Sequence, residues 1–476
     1  MLFFLISYIF SCRCVALNQL AYGQNLIVFM IDGLSNKLLA KYADELTGFN
    51  EMSIYGSTTD YLKPVYPTLS YPNWISIFTG LYAENHGFTA DYMWDETKQI
   101  AFMKGRGEND TISEWWQQEI APVWYTIGKS NIDVHCYWIP WCDLPYMDLI
   151  VKVPNERKLN FSDIDQSESV STYFPSIIEW ISKYQMYRQQ FVLLRYGGIE
   201  NALRTFGGGS REIIEALRIV DLHILDLQRN LAQMNLFEST NLMVLSNHGM
   251  YTVNNEVQYF IDECFEDLSK VELVVNRHAM MMLFTSYADE VFYDLQVCDQ
   301  FAPQADYDNE EDSTPMVTIY RTDELPTEFY WKNSRFMPSI VLIAKPGATI
   351  LTKRIPSIPM HDEHDRDVKE IGGYDNRFDG MHGIFMARGP AFKINHQAAP
   401  IEVVDIYQLM LNILAIEPPH KHNGTWSNVE NLLNNEWETR PAHLSKNSSD
   451  ILSIRPFSMI FLLFFSYILY INICLC

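Results

Sequence analysis

The run Leu-Ile-Val-Phe-Met-Ile at positions 26–31 has no polar side chain to turn towards water, and it stops abruptly at Asp32-Gly33. A strand buried on one face alternates polar and apolar residues; a strand buried on both faces does not. The run therefore predicts an inner strand of a parallel sheet with helices on each side. A carboxylate directly after such a strand falls where open α/β sheets place their ligands. The pattern recurs: Phe191–Tyr196 reads as a second strand, Glu212–Leu227 as an amphipathic helix, and Asn241–Leu245 as a third strand ending at Ser246-Asn247-His248-Gly249. This alternation predicts an α/β fold, with a central, mostly parallel sheet, helices on both faces and loop insertions. A weak boundary is expected over Val257–Val317, where the alternation is interrupted, and Asp306–Asp312 reads as a solvated acidic loop. With 59 acidic against 35 basic residues the formal net charge is −24, which excludes a nucleic-acid binder built on clustered Lys and Arg.

Both ends of the chain read as processing signals. Met1–Phe10 is almost wholly apolar and small residues follow at Ala16, Ala21 and Gly23, the pattern of a secretory signal peptide over 1–23. Phe457–Cys476 is a run of 20 uncharged residues, preceded by small residues at Asn447, Ser448 and Ser449 and a polar spacer through Arg455. That is the pattern of a GPI-anchor signal, with a single membrane-spanning helix as the alternative. The expected division is a signal over 1–23, a catalytic-type domain over 24–435, a linker with the anchor site over 436–456 and the apolar tail over 457–476. The folded part is then expected on the outer face of the cell, joined to the membrane through a lipid anchor. Sequons at Asn109, Asn160 and Asn423 are candidate glycosylation sites in that compartment, and the four internal cysteines can form two disulfides in three ways. Sequence proximity favours Cys136 with Cys142 and Cys264 with Cys298.

The stretch from Pro64 to Asp95 carries the chemistry. Ser70, ahead of Tyr-Pro-Asn and a helix-compatible run, places a hydroxyl at a helix N-terminus, where free backbone N–H groups and the helix dipole favour an anion. A serine in that position alone is ordinarily an N-cap. Its company is more specific: a first strand ending in Asp32, then PTLSYPN with TGLYAENHG, then SNHGM, then GYDN with GIFMARGPAF. In this order, over about Leu26 to Asn435, the chain closely resembles the nucleotide pyrophosphatase/phosphodiesterase family of the alkaline phosphatase superfamily. Ser70 itself, YMWD at Tyr92–Asp95 and NGTW at Asn423–Trp426 look most like its choline-phosphodiesterase branch.

That resemblance implies hydrolysis by two zinc ions, with the serine hydroxyl attacking phosphorus while the metals lower its pKa and stabilise the developing charge. Carried over position by position, Asp32 and the nucleophile Ser70 match. In the family's Asp-His pair the carboxylate has become Asn247, while His248 is kept. Glu200 stands at the other aspartate, as a weak ligand. Arg204 stands where a histidine is expected four residues later, and Gly372 where another is expected before Gly373-Tyr374-Asp375-Asn376. Asp91 replaces a phosphate-binding asparagine. A guanidinium offers no lone pair, so Arg204 cannot ligate, and glycine has no donor at all. At most one zinc ion is expected, held weakly by Asp32, Ser70, Asn247 and His248, with the Arg204 charge in place of the second. His361, His364 and His382 lie nearby in sequence but are not expected to restore the set.

In the choline branch, aromatic residues near Tyr137, Trp138, Trp141 and Asp143 would help form a quaternary-ammonium pocket. The plainer expectation is a disulfide-bordered loop with packed aromatics, and Tyr71, Tyr92 and Trp94 read as packing residues. The function expected is that of a cell-surface family relative with a degraded two-zinc site, catalytically impaired. It would act by binding a phosphocholine- or nucleotide-like ligand or through its surface. The alternatives are an active metal-dependent phosphodiesterase or pyrophosphatase, cleaving choline phosphodiesters or nucleotides through Ser70, and a purely structural surface protein.

Overall fold

The computed structural model describes residues 24–104, 115, 120–139, 141–142, 151, 170–184, 188–301, 315–359 and 368–438. The terminal segments, the sequons at Asn109 and Asn160, the acidic loop, Asp143, His361 and His364 lie outside them. The chain separates into two units, residues 1–434 and 435–476; of the second, the helix Asn435–Glu438 is described.

The first unit is built on a seven-stranded sheet: β1 (Asn25–Ile31), β2 (Ser57–Thr59), β3 (Asp133–Tyr137), β4 (Gln190–Tyr196), β5 (Thr240–Ser246), β6 (Phe385–Arg388) and β7 (His396–Ala398). They lie in the order β7-β2-β6-β5-β1-β4-β3. Pairing is parallel from β5 through β1 and β4 to β3, and antiparallel where β6 joins β5 and β2. The expected mostly parallel α/β sheet is therefore present. β1, central and wholly buried, sets Ile27 beside Val192 and Leu242.

Among the helices that cover the two faces are α1 (Ser70–Thr79), α2 (Phe174–Tyr184), α3 (Gly198–Phe206), α4 (Arg211–Gln233) and α5 (Asp405–Ile413). Ile27, Phe29 and Ile31 point to one side, where they join a core with Ile177 of α2 and the α4 stripe Ile213, Leu217, Val220, Ile224, Leu227 and Leu231. Spacings of three and four residues put that stripe on one helical face. Ser210 caps α4, its hydroxyl accepting from the Ile213 N–H. The helix outruns the expected Leu227 by six residues because Gln228 is buried rather than terminating. Its amide nitrogen donates to the Gly48 carbonyl at 2.9 Å, and Leu231 resumes the stripe. On the opposite face α5 packs against α1 and β1.

The interruption expected over Val257–Val317 is real, but it is not irregular chain. Leu273–Val275 and Met280–Phe284 belong to a second, five-stranded sheet with Val317–Arg321, Ile340–Ala344 and Ser357–Ile358. Most of its pairings are antiparallel, which is why the strand-helix rhythm fails there. Both favoured disulfides, Cys136–Cys142 and Cys264–Cys298, are formed. Asn423 is exposed, with its side-chain oxygen accepting from the Tyr82 N–H at 2.9 Å. Tyr137 and Trp141 are buried; Trp141 packs against Tyr71, Phe88 and Phe102, so these aromatics serve as core in the described region.

One buried histidine makes the fold acid-sensitive. His86 Nδ1 accepts from the Phe88 N–H at 3.1 Å, which leaves Nε2 to carry the proton and face the Ser76 hydroxyl at 3.1 Å. Burial pushes its pKa down from 6.5 to about 3. The folded state thus favours the neutral ring, and its contribution is complete above pH 6.5 and lost as the pH falls. The expected loss is about 1.4 kcal/mol per pH unit below that point. His86→Asn, which keeps an acceptor for Phe88, should make the acid limb of a stability-pH curve shallower by that slope. An unchanged slope would show that His86 titrates normally.

Candidate active site

The sheet brings the sequence-predicted residues together at the carboxyl ends of its parallel strands. Asp32 follows β1 directly, Asn247 and His248 follow β5, and Glu200 lies in the first turn of α3 just beyond β4. Ser70 is the first residue of α1. Asn73 anchors that start by accepting from the Val65 N–H at 2.8 Å and donating to the Leu69 carbonyl at 2.9 Å. Trp74, one turn after Ser70, faces the same way. Asp91 and Lys104 flank a hairpin, Tyr92–Asp95 paired with Ile100–Met103, which sets their backbones side by side with the Lys104 N–H on the Asp91 carbonyl at 3.2 Å.

Ser70 is buried, and its hydroxyl oxygen lies 2.9 Å from Lys104 Nζ, 3.2 Å from Glu200 Oε2 and 3.4 Å from His248 Nε2. The other nitrogen of His248 is 2.8 Å from the Gly249 carbonyl, which can only accept, so Nδ1 is protonated and Nε2 turns a lone pair to Ser70. Burial lowers the His248 pKa, which keeps the ring neutral at pH 7. Glu200 is held ionised: although burial opposes its charge, Lys104 and Arg204 hold it well below the usual carboxylate range. Lys104 is raised by Asp91 and Glu200 against the opposing effect of burial.

The residues present do not fit a zinc ion. Asp32 is fully buried, with Oδ1 accepting from Trp74 Nε1 at 2.9 Å and Oδ2 held by Arg195 Nε. The Arg195 guanidinium stacks over the Trp74 ring at 4.5 Å. Asn247 turns its oxygen to the backbone N–H groups of Gly33 and His248, at 3.2 and 2.9 Å, and its Nδ2 is buried without a partner among the described residues. Glu200 Oε1 is occupied by Arg204 Nε at 3.0 Å and Lys104 at 3.3 Å. A Cβ on Gly372 would come within 2.5 Å of the Thr68 carbonyl oxygen and 3.2 Å of His248 Cε1, so no histidine fits there without backbone movement. His382 turns away to the Asn376 carbonyl at 3.1 Å and stacks on Tyr61. Among the described residues no three His, Cys, Asp or Glu side chains cluster as a metal site.

Two expectations change in detail. The cation nearest Ser70 is Lys104, not Arg204, whose side chain is 37% exposed and reaches the site through Glu200. Asp91 does not merely face a ligand. Its Oδ1 accepts from the Tyr71 N–H at 2.8 Å and its Oδ2 from Lys104 at 2.9 Å, so the carboxylate takes up a donor at the α1 N-terminus. Lys104, Arg195 and Trp74 were not among the sequence candidates. Arg195 carried a usable signal, since a charge inside the apolar strand FVLLRY must find a partner when buried. Beyond these groups opens a cavity of about 570 Å³, lined among others by Asp91, Lys104, Arg195, Glu200, Arg204 and Arg277.

Comparison with known proteins identifies the family and agrees with the fold. Residues 26–384 match the family model described as type I phosphodiesterase / nucleotide pyrophosphatase. The chain is 27% identical to the human bis(5'-adenosyl)-triphosphatase ENPP4 over 415 residues, 87% of this chain and 82% of that relative. It is 25% identical to bovine ectonucleotide pyrophosphatase/phosphodiesterase family member 3, over 86% of this chain and 44% of that protein. In fold it is similar to human ectonucleotide pyrophosphatase/phosphodiesterase 5, with a TM-score of 0.72 at 24% identity, covering 86% of this chain and all of that one. A murine form of the latter, inactive and in complex with AMP, gives 0.70. An Asp-terminated parallel strand, a serine opening a helix beside it and the matched span of 26–384 together place this chain in the type I phosphodiesterase / nucleotide pyrophosphatase family.

Proposed function

We propose that this protein keeps the family's ligand pocket but not its two-zinc hydrolysis, and that it binds an anionic, phosphate-bearing ligand over Ser70. The observation that carries the reading is the Ser70 hydroxyl, which meets the Lys104 ammonium at 2.9 Å. The charges favour an anion. Arg195, Lys104, Arg204 and Arg277 stand against Asp32, Asp91 and Glu200, a small positive excess that suits a phosphate group better than a bare quaternary ammonium. The choline likeness of Ser70, YMWD and NGTW therefore enters only as a phosphocholine candidate. The relatives named above are nucleotide hydrolases by name, and AMP is the ligand named for a neighbour of the same fold. Two disulfides suit an oxidising, outward-facing compartment; the lipid anchor rests on the terminal sequence pattern alone.

A second reading, residual hydrolysis through Ser70, is favoured by the neutral Nε2 of His248 at 3.4 Å, placed to accept the hydroxyl proton. Calorimetric titration of the full-length protein with AMP, phosphocholine and inorganic phosphate, beside a phosphodiester turnover assay with and without chelator, separates the two. Saturable binding without chelator-sensitive turnover is expected. Turnover abolished by a chelator, or no binding of any of the three, contradicts the proposal.

A further inference from the structure

Two of the groups that the family resemblance would set at a metal ion, Asp32 and Ser70, are each met here by a side-chain cation. Asp32 is closed on both oxygens, by Trp74 Nε1 and by Arg195 Nε, while the guanidinium lies over the same indole ring. Carboxylate, ring and cation thus hold one another in place. Around Ser70 the counterpart is Lys104. Its Nζ lies 2.9 Å from Ser70 Oγ, 2.9 Å from Asp91 Oδ2 and 3.3 Å from Glu200 Oε1, and an ammonium has three N–H donors for those three oxygens. Lys104 also borders Trp74, at 5.8 Å from the ring centroid. Arg195, Lys104 and Arg204 balance Asp32, Asp91 and Glu200 one for one, so this cluster is neutral and the positive excess of the site comes from Arg277 in the cavity wall.

We propose that Arg195 and Lys104 are built-in counter-ions that have taken over the charge role of the two metal ions, so that the site is electrostatically complete without metal. The inference rests on the reading that two-zinc hydrolysis is lost. A divalent ion added to the neutral cluster would have no uncompensated carboxylate to pair with. Removing Lys104 leaves Asp91 and Glu200 short of a cation, with Glu200 sharing the Ser70 hydroxyl with His248 Nε2, and removing Arg195 leaves the Asp32 carboxylate unpaired. In either case a divalent ion becomes the available counter-charge.

The test is zinc titration of the full-length protein and three variants, read as bound zinc after dialysis and as the shift in Tm. The wild type should retain no zinc and show no shift. Arg195→Gln should fall in Tm without metal, then retain one zinc ion and recover about 2–5 °C on its addition. Lys104→Gln, one-fifth exposed and so less exposed to a folding defect, should gain a similar zinc response through Asp91 and Glu200. Arg195→Gln combined with Asp32→Asn, which neutralises both partners, should remain indifferent to zinc. Zinc retained stoichiometrically by the wild type overturns the inference, as does indifference to zinc in both single variants. Phosphate binding by the wild type is scored separately, and its failure touches the proposed function and not the counter-ions.

Discussion

Replacing Asp32 by alanine is expected to destabilise the protein by about 3–5 kcal/mol, the usual cost of removing one partner from a buried ion pair. Asp32 is 0% and Arg195 4% exposed at the side chain, so the stranded guanidinium would stay almost wholly buried without its counter-charge. Trp74 loses the acceptor for its indole N–H in the same step. The carboxyl itself is under strain in the charge sense: burial raises its pKa from 3.8 to about 6, against the lowering effect of Arg195. Neutralising both partners, Asp32→Asn with Arg195→Gln, should recover most of the loss, because the cost lies in the unpaired charge and not in the absence of the pair. Urea denaturation of Asp32→Asn, Arg195→Gln and their double gives the coupling energy. Singles within 1 kcal/mol of wild type would mean that the two residues are not paired as described.

The second large effect concerns the ligand, and its two variants act in opposite directions. Asp91 holds a negative charge against the α1 N-terminus, where it accepts from the Tyr71 N–H and occupies Lys104. Asp91→Asn keeps an oxygen for Tyr71 but releases the lysine, and should tighten binding of a phosphate-bearing ligand by roughly 10- to 100-fold. Lys104→Met removes the cation on Ser70 and should weaken it by a similar factor, with a smaller loss for the part-exposed Arg204. Titration of the variants with AMP and with inorganic phosphate measures both factors. Equal affinities in the wild type and the two variants would place the ligand away from Ser70.

The difference between what the sequence disclosed and what it withheld has a physical cause. Strands such as Leu26–Ile31 and Asn241–Leu245 were legible because burial on both faces leaves an unbroken apolar run. The residues after them, Asp32 and His248, followed from their place at the strand ends. Two strands of the second sheet, Leu273–Val275 and Met280–Phe284, were passed over because they are short and pair antiparallel outside the strand-helix rhythm. The altered positions were legible only as departures from a family pattern, and that pattern has no slot for the cations found beside them. Lys104 finds its partners at positions 70, 91 and 200, and Arg195 at 32 and 74. Those contacts exist only once the chain has folded. Asp91 was read as a negative charge facing a ligand; its capture of the Tyr71 N–H depends on the hairpin that carries it.

The central claim is that side-chain charge has replaced metal charge at this site. Its most direct test is the zinc content of the purified full-length wild-type protein, by elemental analysis after dialysis against trace zinc. The arrangement of Arg195, Lys104 and Gly372 predicts no zinc above background. Two zinc ions per chain would contradict it, showing that the donors are freed from these cations in solution and that the family's metal chemistry persists.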